Sequence, residues 1–65
     1  MFKINRRKIE IERAKKGLTQ KELVKLAKIG PLTLKADKLS PLSVGKIANA
    51  LNVDVEELII DEDVE

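Results

Sequence analysis

The sequence predicts an all-α protein, a compact bundle of five short helices. Three observations support this fold class. The chain has 65 residues, of which 43% are apolar and only Phe2 is aromatic, so its core is aliphatic. Helix start signals recur along the chain, and the apolar residues between them have helical spacing. A chain this short forms one domain, which we expect over residues 1 to 60, followed by an acidic, flexible tail over residues 61 to 65.

The first helix is predicted over residues 6 to 16, with Asn5 as its N-cap and Gly17 as its C-terminal stop. Glu12 conflicts with this helix, because it lies three residues after Ile9, where a second core-facing residue is expected. Either the face that carries Ile11 turns inward, or Glu12 has a partner. Four apolar residues are spaced to share the core-facing side: Ile4, Ile11, Ala14 and Leu18.

The second and third helices are separated by Gly30 and Pro31. Thr19 and Glu22 form a capping box, so the second helix starts there and is expected to end between Lys28 and Gly30. Proline suits the first position of a helix, which predicts a short third helix from Pro31 to about residue 37. Leu34 is its main inward anchor. The second helix has a broad apolar face: Leu23, Val24, Leu26 and Ala27.

The fourth helix starts at Ser40 and Pro41, and Gly45 lies in its interior. Glycine there costs up to about 1 kcal/mol relative to alanine, which predicts a close helix crossing at that point. A second capping box at residues 54 to 57 opens a short fifth helix that reaches Ile60. The fourth helix carries five apolar residues at helical spacing: Leu42, Val44, Ile47, Ala48 and Leu51.

Composition excludes several classes of function. The chain has no cysteine and no histidine, which removes disulfides, thiolate zinc sites, thiol nucleophiles and the usual imidazole base. Its hydroxyl side chains have no histidine beside them, so we expect no enzyme, cofactor, metal or small-molecule ligand. The longest apolar runs are three residues, so we expect no membrane segment and a cytoplasmic location.

Charge is distributed unevenly along the chain. Residues 1 to 28 carry ten basic and three acidic side chains, whereas residues 53 to 65 carry seven acidic and no basic ones. A basic half favours a polyanionic partner, because each neutralised phosphate releases counterions. From charge alone, a solvated lysine-rich surface is an equally good interpretation.

Three segments, GLTQKEL, SPLSVGKIANALNV and DVEELI, occur in this order over nearly the whole chain. Together they resemble the Cro/CI-type helix-turn-helix family of phage and mobile-element repressors, also called the XRE family. The resemblance implies a lambda-repressor-like fold with the helix-turn-helix at helices 2 and 3. It also implies a transcriptional regulator that binds double-stranded DNA, with helix 3 in the major groove.

The resemblance also assigns DNA-contacting residues. Gln20 matches the position that clamps a phosphate, and three lysines are expected to hold further phosphates: Lys16, Lys21 and Lys38. The base-facing positions fall on Pro31, Leu32, Thr33, Lys35 and Ala36. None of these five side chains is a bidentate reader such as arginine, glutamine or asparagine, so we expect weak specificity.

Pro31 and Leu32 have an alternative interpretation as a helix start and a core leucine. The alternative function is a degenerate helix-turn-helix module that binds a protein partner, as an antirepressor would, through its Pro31 and Leu32 face. A mobility shift of duplex DNA at low salt distinguishes the two functions.

The chain departs from the family pattern in three ways. Lys28 replaces the usual turn glycine, Asp37 replaces an apolar anchor, and the segment between Thr33 and Pro41 is about two or three residues shorter than in the family. Arg13 matches a buried arginine of the family, and Asp37 would have to be its partner.

Repressors of this shape read two half-sites about 34 Å apart, which requires a two-fold dimer. We expect a weak homodimer whose contact is formed by three surplus apolar residues: Leu58, Ile59 and Ile60.

Overall fold

Four helices and a three-stranded antiparallel sheet make up residues 1 to 60, the part of the chain that the computed structural model describes. The predicted acidic tail lies outside these residues. No helix in the described part has the length and hydrophobicity that a bilayer-spanning segment requires. The helices are α1 (Arg6–Lys16), α2 (Gln20–Ala27), α3 (Pro31–Lys35) and α4 (Pro41–Leu51). The strands are β1 (Phe2–Ile4), β2 (Lys38–Leu39) and β3 (Ile59–Ile60), with a single 3-10 turn at Val55–Glu57.

The sheet makes the prediction of an all-α, five-helix bundle wrong, because the fold is mixed α/β. Its strand order is β2-β1-β3, with β1 in the centre. Lys3 of β1 is paired with Lys38 on one side and with Ile60 on the other. Each strand has only two or three residues, which is too short for an alternating pattern to be read from the sequence. The pairing partners are also distant in the chain, so no local signal identifies them.

The predicted fifth helix is replaced by the 3-10 turn and β3. The capping bond predicted at its start is present, because the backbone amide of Asp54 donates to Oε2 of Glu57 over 3.4 Å. The helix stops after one turn, because the chain is drawn into the sheet. Asn5 donates its amide to the carbonyl of Leu58 over 2.8 Å, and β3 follows directly.

The predicted starts of the other helices are confirmed. Asn5 Oδ1 accepts from the amide of Lys8 over 3.1 Å. Thr19 and Glu22 exchange both bonds of their capping box, over 3.1 and 2.8 Å. Ser40 Oγ accepts from the amide of Ser43. Local hydrogen bonds of this kind are encoded by neighbouring residues, which is why the sequence predicts them.

The core is aliphatic, as predicted, and packs α2 against α4 with α1 and the sheet around them. On α1, however, the core-facing residue is Ile9, while Ile11 is 40% exposed and Ala14 is exposed as well. Leu26 and Leu42 were also expected to face the core, and both are exposed. Within residues 1 to 60, ten buried residues form the core: Ile4, Ile9, Leu23, Ala27, Leu39, Val44, Ile47, Ala48, Leu51 and Leu58.

Glu12 has partners, which decides between the two alternatives for α1. It lies on the inward side with Ile9 and is only 7% exposed. Its Oε2 is 3.5 Å from Nζ of Lys8 and 3.5 Å from Nζ of Lys15. The two ammonium groups therefore offset the cost of burying the carboxylate, and α1 keeps Ile9 in the core.

Three smaller expectations are wrong. A Cβ added at Gly45 would meet no atom within 4 Å, so no close helix crossing requires this glycine. Asp37 pairs with Arg6 over 3.6 Å, whereas Arg13 donates from Nη1 to the carbonyl of Leu18 over 3.2 Å. The third helix ends at Lys35, because the carbonyl of Asp37 accepts from the amide of Ile4 and extends the chain toward β2.

Lys28 ends α2 in the left-handed region, with φ 59°, a conformation that favours glycine. Lys28→Gly is therefore expected to raise the free energy of unfolding by about 1 kcal/mol. Asn52 ends α4 at the same φ and provides a matched control, since asparagine tolerates this region. Asn52→Gly should give less than half that gain. Urea unfolding followed by circular dichroism measures both, and an equal or larger gain at Asn52 would contradict the explanation.

Candidate functional site

The candidate site is the unit formed by α2, the turn after it and α3. Three residues, 28 to 30, connect the helices. The turn is held by two backbone bonds, from the Lys28 amide to the carbonyl of Lys25 and from the Ile29 amide to that of Val24. Leu34 is half-buried and fastens α3 to the core. The short turn and this anchor hold α3 at a defined angle to α2.

The five predicted base-facing residues divide into two groups. Pro31, Leu32 and Lys35 are exposed, and Leu32 is 79% exposed, so its interpretation as a core leucine is wrong. Thr33 and Ala36 are partly buried, and Ala36 packs against the core. α3 therefore exposes a proline and a leucine in its first turn and a lysine at its end.

The predicted phosphate contacts are all exposed, but they do not form one cluster. Gln20 and Lys21 lie at the start of α2 and line a groove together with Pro31 and Lys35 of α3. The remaining two lysines, Lys16 at the end of α1 and Lys38 in β2, do not line this groove. The structure thus brings Gln20 and Lys21 next to α3.

Two arginines of α1 also lie near Gln20, and sequence reasoning did not assign them to the site. Arg6 and Arg13 line a small cleft with Gln20 and Leu34. Both guanidinium groups already have a partner, because Arg6 pairs with Asp37 and Arg13 donates a hydrogen bond to a backbone carbonyl. The basic composition of α1 was the available signal, but only the folded chain shows which of its residues line a cleft with Gln20.

Two exposed leucines lie outside α3. Leu26 of α2 lines a shallow depression with Lys46 and Asn49 of α4, and Leu42 is exposed in the first turn of α4. Their helical spacing gave no sign of this, because each sits at the edge of an apolar face. Neither joins the groove that contains Gln20.

The three residues predicted to form a dimer contact have different environments. Leu58 is 0% exposed and belongs to the core, so its side chain is not available to a second chain. Ile59 is paired with Ile4 and is half-buried. Ile60 is 41% exposed on β3, which is an outer strand of the sheet. Only Ile60 presents substantial apolar surface.

Within residues 1 to 60, no group of three or more carboxylate, imidazole or thiol side chains is arranged to hold a metal ion. A scan of protein-family models, a search of curated proteins and a search of solved structures found no match to this chain.

Proposed function

We propose that this protein is a cytoplasmic, DNA-binding transcriptional regulator of the repressor type. The observation that carries the proposal is the α2–turn–α3 unit, in which a three-residue connection leaves the first turn of the second helix exposed. In helix-turn-helix proteins this second helix enters the major groove. The resemblance of three ordered motifs to the Cro/CI family supports the same function. The sheet does not interrupt this unit, because no strand lies between α2 and α3.

The proposed contacts follow from exposure. Leu32 touches a thymine methyl and Lys35 reaches a guanine or the backbone, with Pro31 beside them. Gln20 and Lys21, at the N-terminal end of α2, hold phosphates, and this end also carries the positive end of the helix dipole. Lys16 and Lys38 are further phosphate contacts in this proposal, while Thr33 and Ala36 contribute less because they are partly buried. The proposal includes no catalytic step and no cofactor.

A weak two-fold dimer is part of the proposal. One domain reaches a single half-site, and two third helices are needed to read both halves of a symmetric operator. Ile60 and the outer edge of β3 form the contact, because this edge pairs with no strand within residues 1 to 60. Selection of binding sites from random duplexes tests both parts together. An inverted repeat is expected, and recovery of no sequence preference would count against base reading.

Leu32→Gln is expected to increase discrimination at one base pair by about 1 to 3 kcal/mol, because glutamine forms a bidentate contact with adenine. Leu32 is exposed, so the substitution should leave stability nearly unchanged. Leu26→Gln is the matched control, since Leu26 is also exposed but lies away from α3. Affinities for a panel of single-base operator variants give the result. Equal discrimination in the parent and both variants would show that Leu32 does not face the major groove of the DNA.

A further inference from the structure

A mostly apolar groove runs along the exposed side of α2 and onto α3. One segment is lined by Val24, Ile29 and Pro31, and the other by Val24, Pro31 and Leu34. The two segments share Lys21, Val24 and Pro31, so they form one continuous groove. Val24, Ile29 and Leu34 are each half-buried, so the groove has an aliphatic floor that is open to a partner.

Lysines surround this floor. Lys21, Lys25 and Lys28 line the first segment, and Lys35 lines the second together with Lys21. All four are exposed, and none of them forms an ion pair with a carboxylate of residues 1 to 60. The only carboxylate among the lining residues of these segments belongs to Glu22. Its Oε1 already accepts from the Thr19 amide over 2.8 Å, so the rim is cationic.

The lysines beside α2 are placed for a helical partner. Lys21 and Lys25 are four residues apart on α2, which places them on one side of the helix, and Lys28, the residue that ends it, lines the same groove segment. The eight residues of α2 extend over about 12 Å, the length of two turns of a second helix. A partner helix with carboxylates along its edge can therefore reach these lysines.

We propose that this groove binds an acidic, amphipathic helical segment of a partner protein. Its aliphatic side chains fill the floor formed by Val24, Ile29 and Leu34, and its carboxylates meet the surrounding lysines. The phosphates of duplex DNA can pair with the lysines. DNA has no aliphatic side chain that could enter the recess and contact its apolar floor. The combination of a concave apolar floor with a cationic rim favours a protein segment as the occupant.

Such a partner would also control DNA binding. The groove shares Lys21, Pro31 and Lys35 with the DNA contacts proposed above, so the two ligands compete. This consequence rests on the proposed function, whereas binding of the peptide does not.

The test uses the full chain and a fluorescein-labelled helical peptide of about 12 residues, with leucine at every third or fourth position and glutamate elsewhere. Fluorescence anisotropy measures its affinity. The double variant Lys25→Glu/Lys28→Glu is expected to weaken binding at least tenfold. Arg7→Glu/Lys46→Glu, which makes the same change in net charge at exposed positions outside the groove, should leave the affinity within about twofold. Circular dichroism verifies that both variants keep their helix content.

A second peptide, with every leucine replaced by serine, tests the apolar floor and is expected to bind at least tenfold more weakly. Equal binding of the two peptides, or equal loss in the two charge variants, would overturn the proposal by reducing the groove to a general cationic surface. Failure of the leucine peptide to bind the parent chain would also overturn it. Competition is measured with labelled duplex DNA: release of the DNA by the leucine peptide supports both proposals. A chain that binds this peptide but no duplex keeps the groove proposal and refutes the proposed function.

Discussion

Leu58→Ala is expected to lower the free energy of unfolding by about 2 to 5 kcal/mol, because it deletes a side chain that is fully buried in the core. A domain of 65 residues has a total stability of only about 3 to 10 kcal/mol, so this variant should lose a large fraction of its stability. Leu58 connects the 3-10 turn to β3, and its backbone carbonyl also holds Asn5. Its role is therefore in the core of a single chain.

Ile60→Ala is the matched control two residues away. Ile60 is 41% exposed, so the same loss of aliphatic surface should cost less than about 1 kcal/mol. Urea unfolding at several protein concentrations measures both variants. Equal costs would contradict the packing at Leu58. A midpoint that rises with concentration in the parent and not in Ile60→Ala would support the proposed dimer contact.

Affinity for duplex DNA is expected to fall about 40-fold between about 50 and 200 mM salt. This figure assumes three charged phosphate contacts, each of which contributes about −0.9 to the slope of log affinity against log salt. The three are the lysines at 16, 21 and 38, whereas Gln20 is neutral and releases no counterion; the nearby arginines of α1 add to the local charge. A salt-independent affinity would refute the phosphate contacts.

The slope also tests individual residues. Lys21→Gln should make it less steep by about 0.9, and it should weaken binding to all sequences similarly, because phosphate contacts position without specifying. Lys46→Gln is the control, since Lys46 is exposed on α4 and does not line the groove beside α3. An unchanged slope in Lys21→Gln, or an equal change in Lys46→Gln, would show that the contact was assigned to the wrong residue.

The elements that sequence reasoning predicted correctly are those with a local cause. The bonds between Thr19 and Glu22 join residues three apart, so the start of α2 depends on no distant part of the chain. The sheet depends instead on residues that are distant from one another in the chain. Ile4 is paired with Ile59, and no pattern around either residue specifies the other. The assignment of Leu58 to a dimer contact was therefore wrong, because a fifth helix was expected where the chain forms a single 3-10 turn and then enters β3.

The candidate site was also only partly predictable. A helix of five residues makes little more than one turn, so its periodicity cannot assign a buried and an exposed face. Leu32 therefore had two interpretations, and only the position of α3 against the core decides between them. The groove was not predicted, because its floor combines Val24 and Ile29 with Leu34 from the next helix. The lysine spacing on α2 was the only part of it visible in the sequence.

The central position of β1 has a consequence for synthesis on the ribosome. Within residues 1 to 60, β1 is made first, but both strands that flank it are made later. At about 5 to 20 residues per second, the nascent chain waits a few seconds for β2 and longer for β3. During that interval α1 and α2 can form, while Phe2 and Ile4 have no strand beside them. The sheet is therefore completed only when β3 has been synthesised, after the helix-turn-helix has left the exit tunnel.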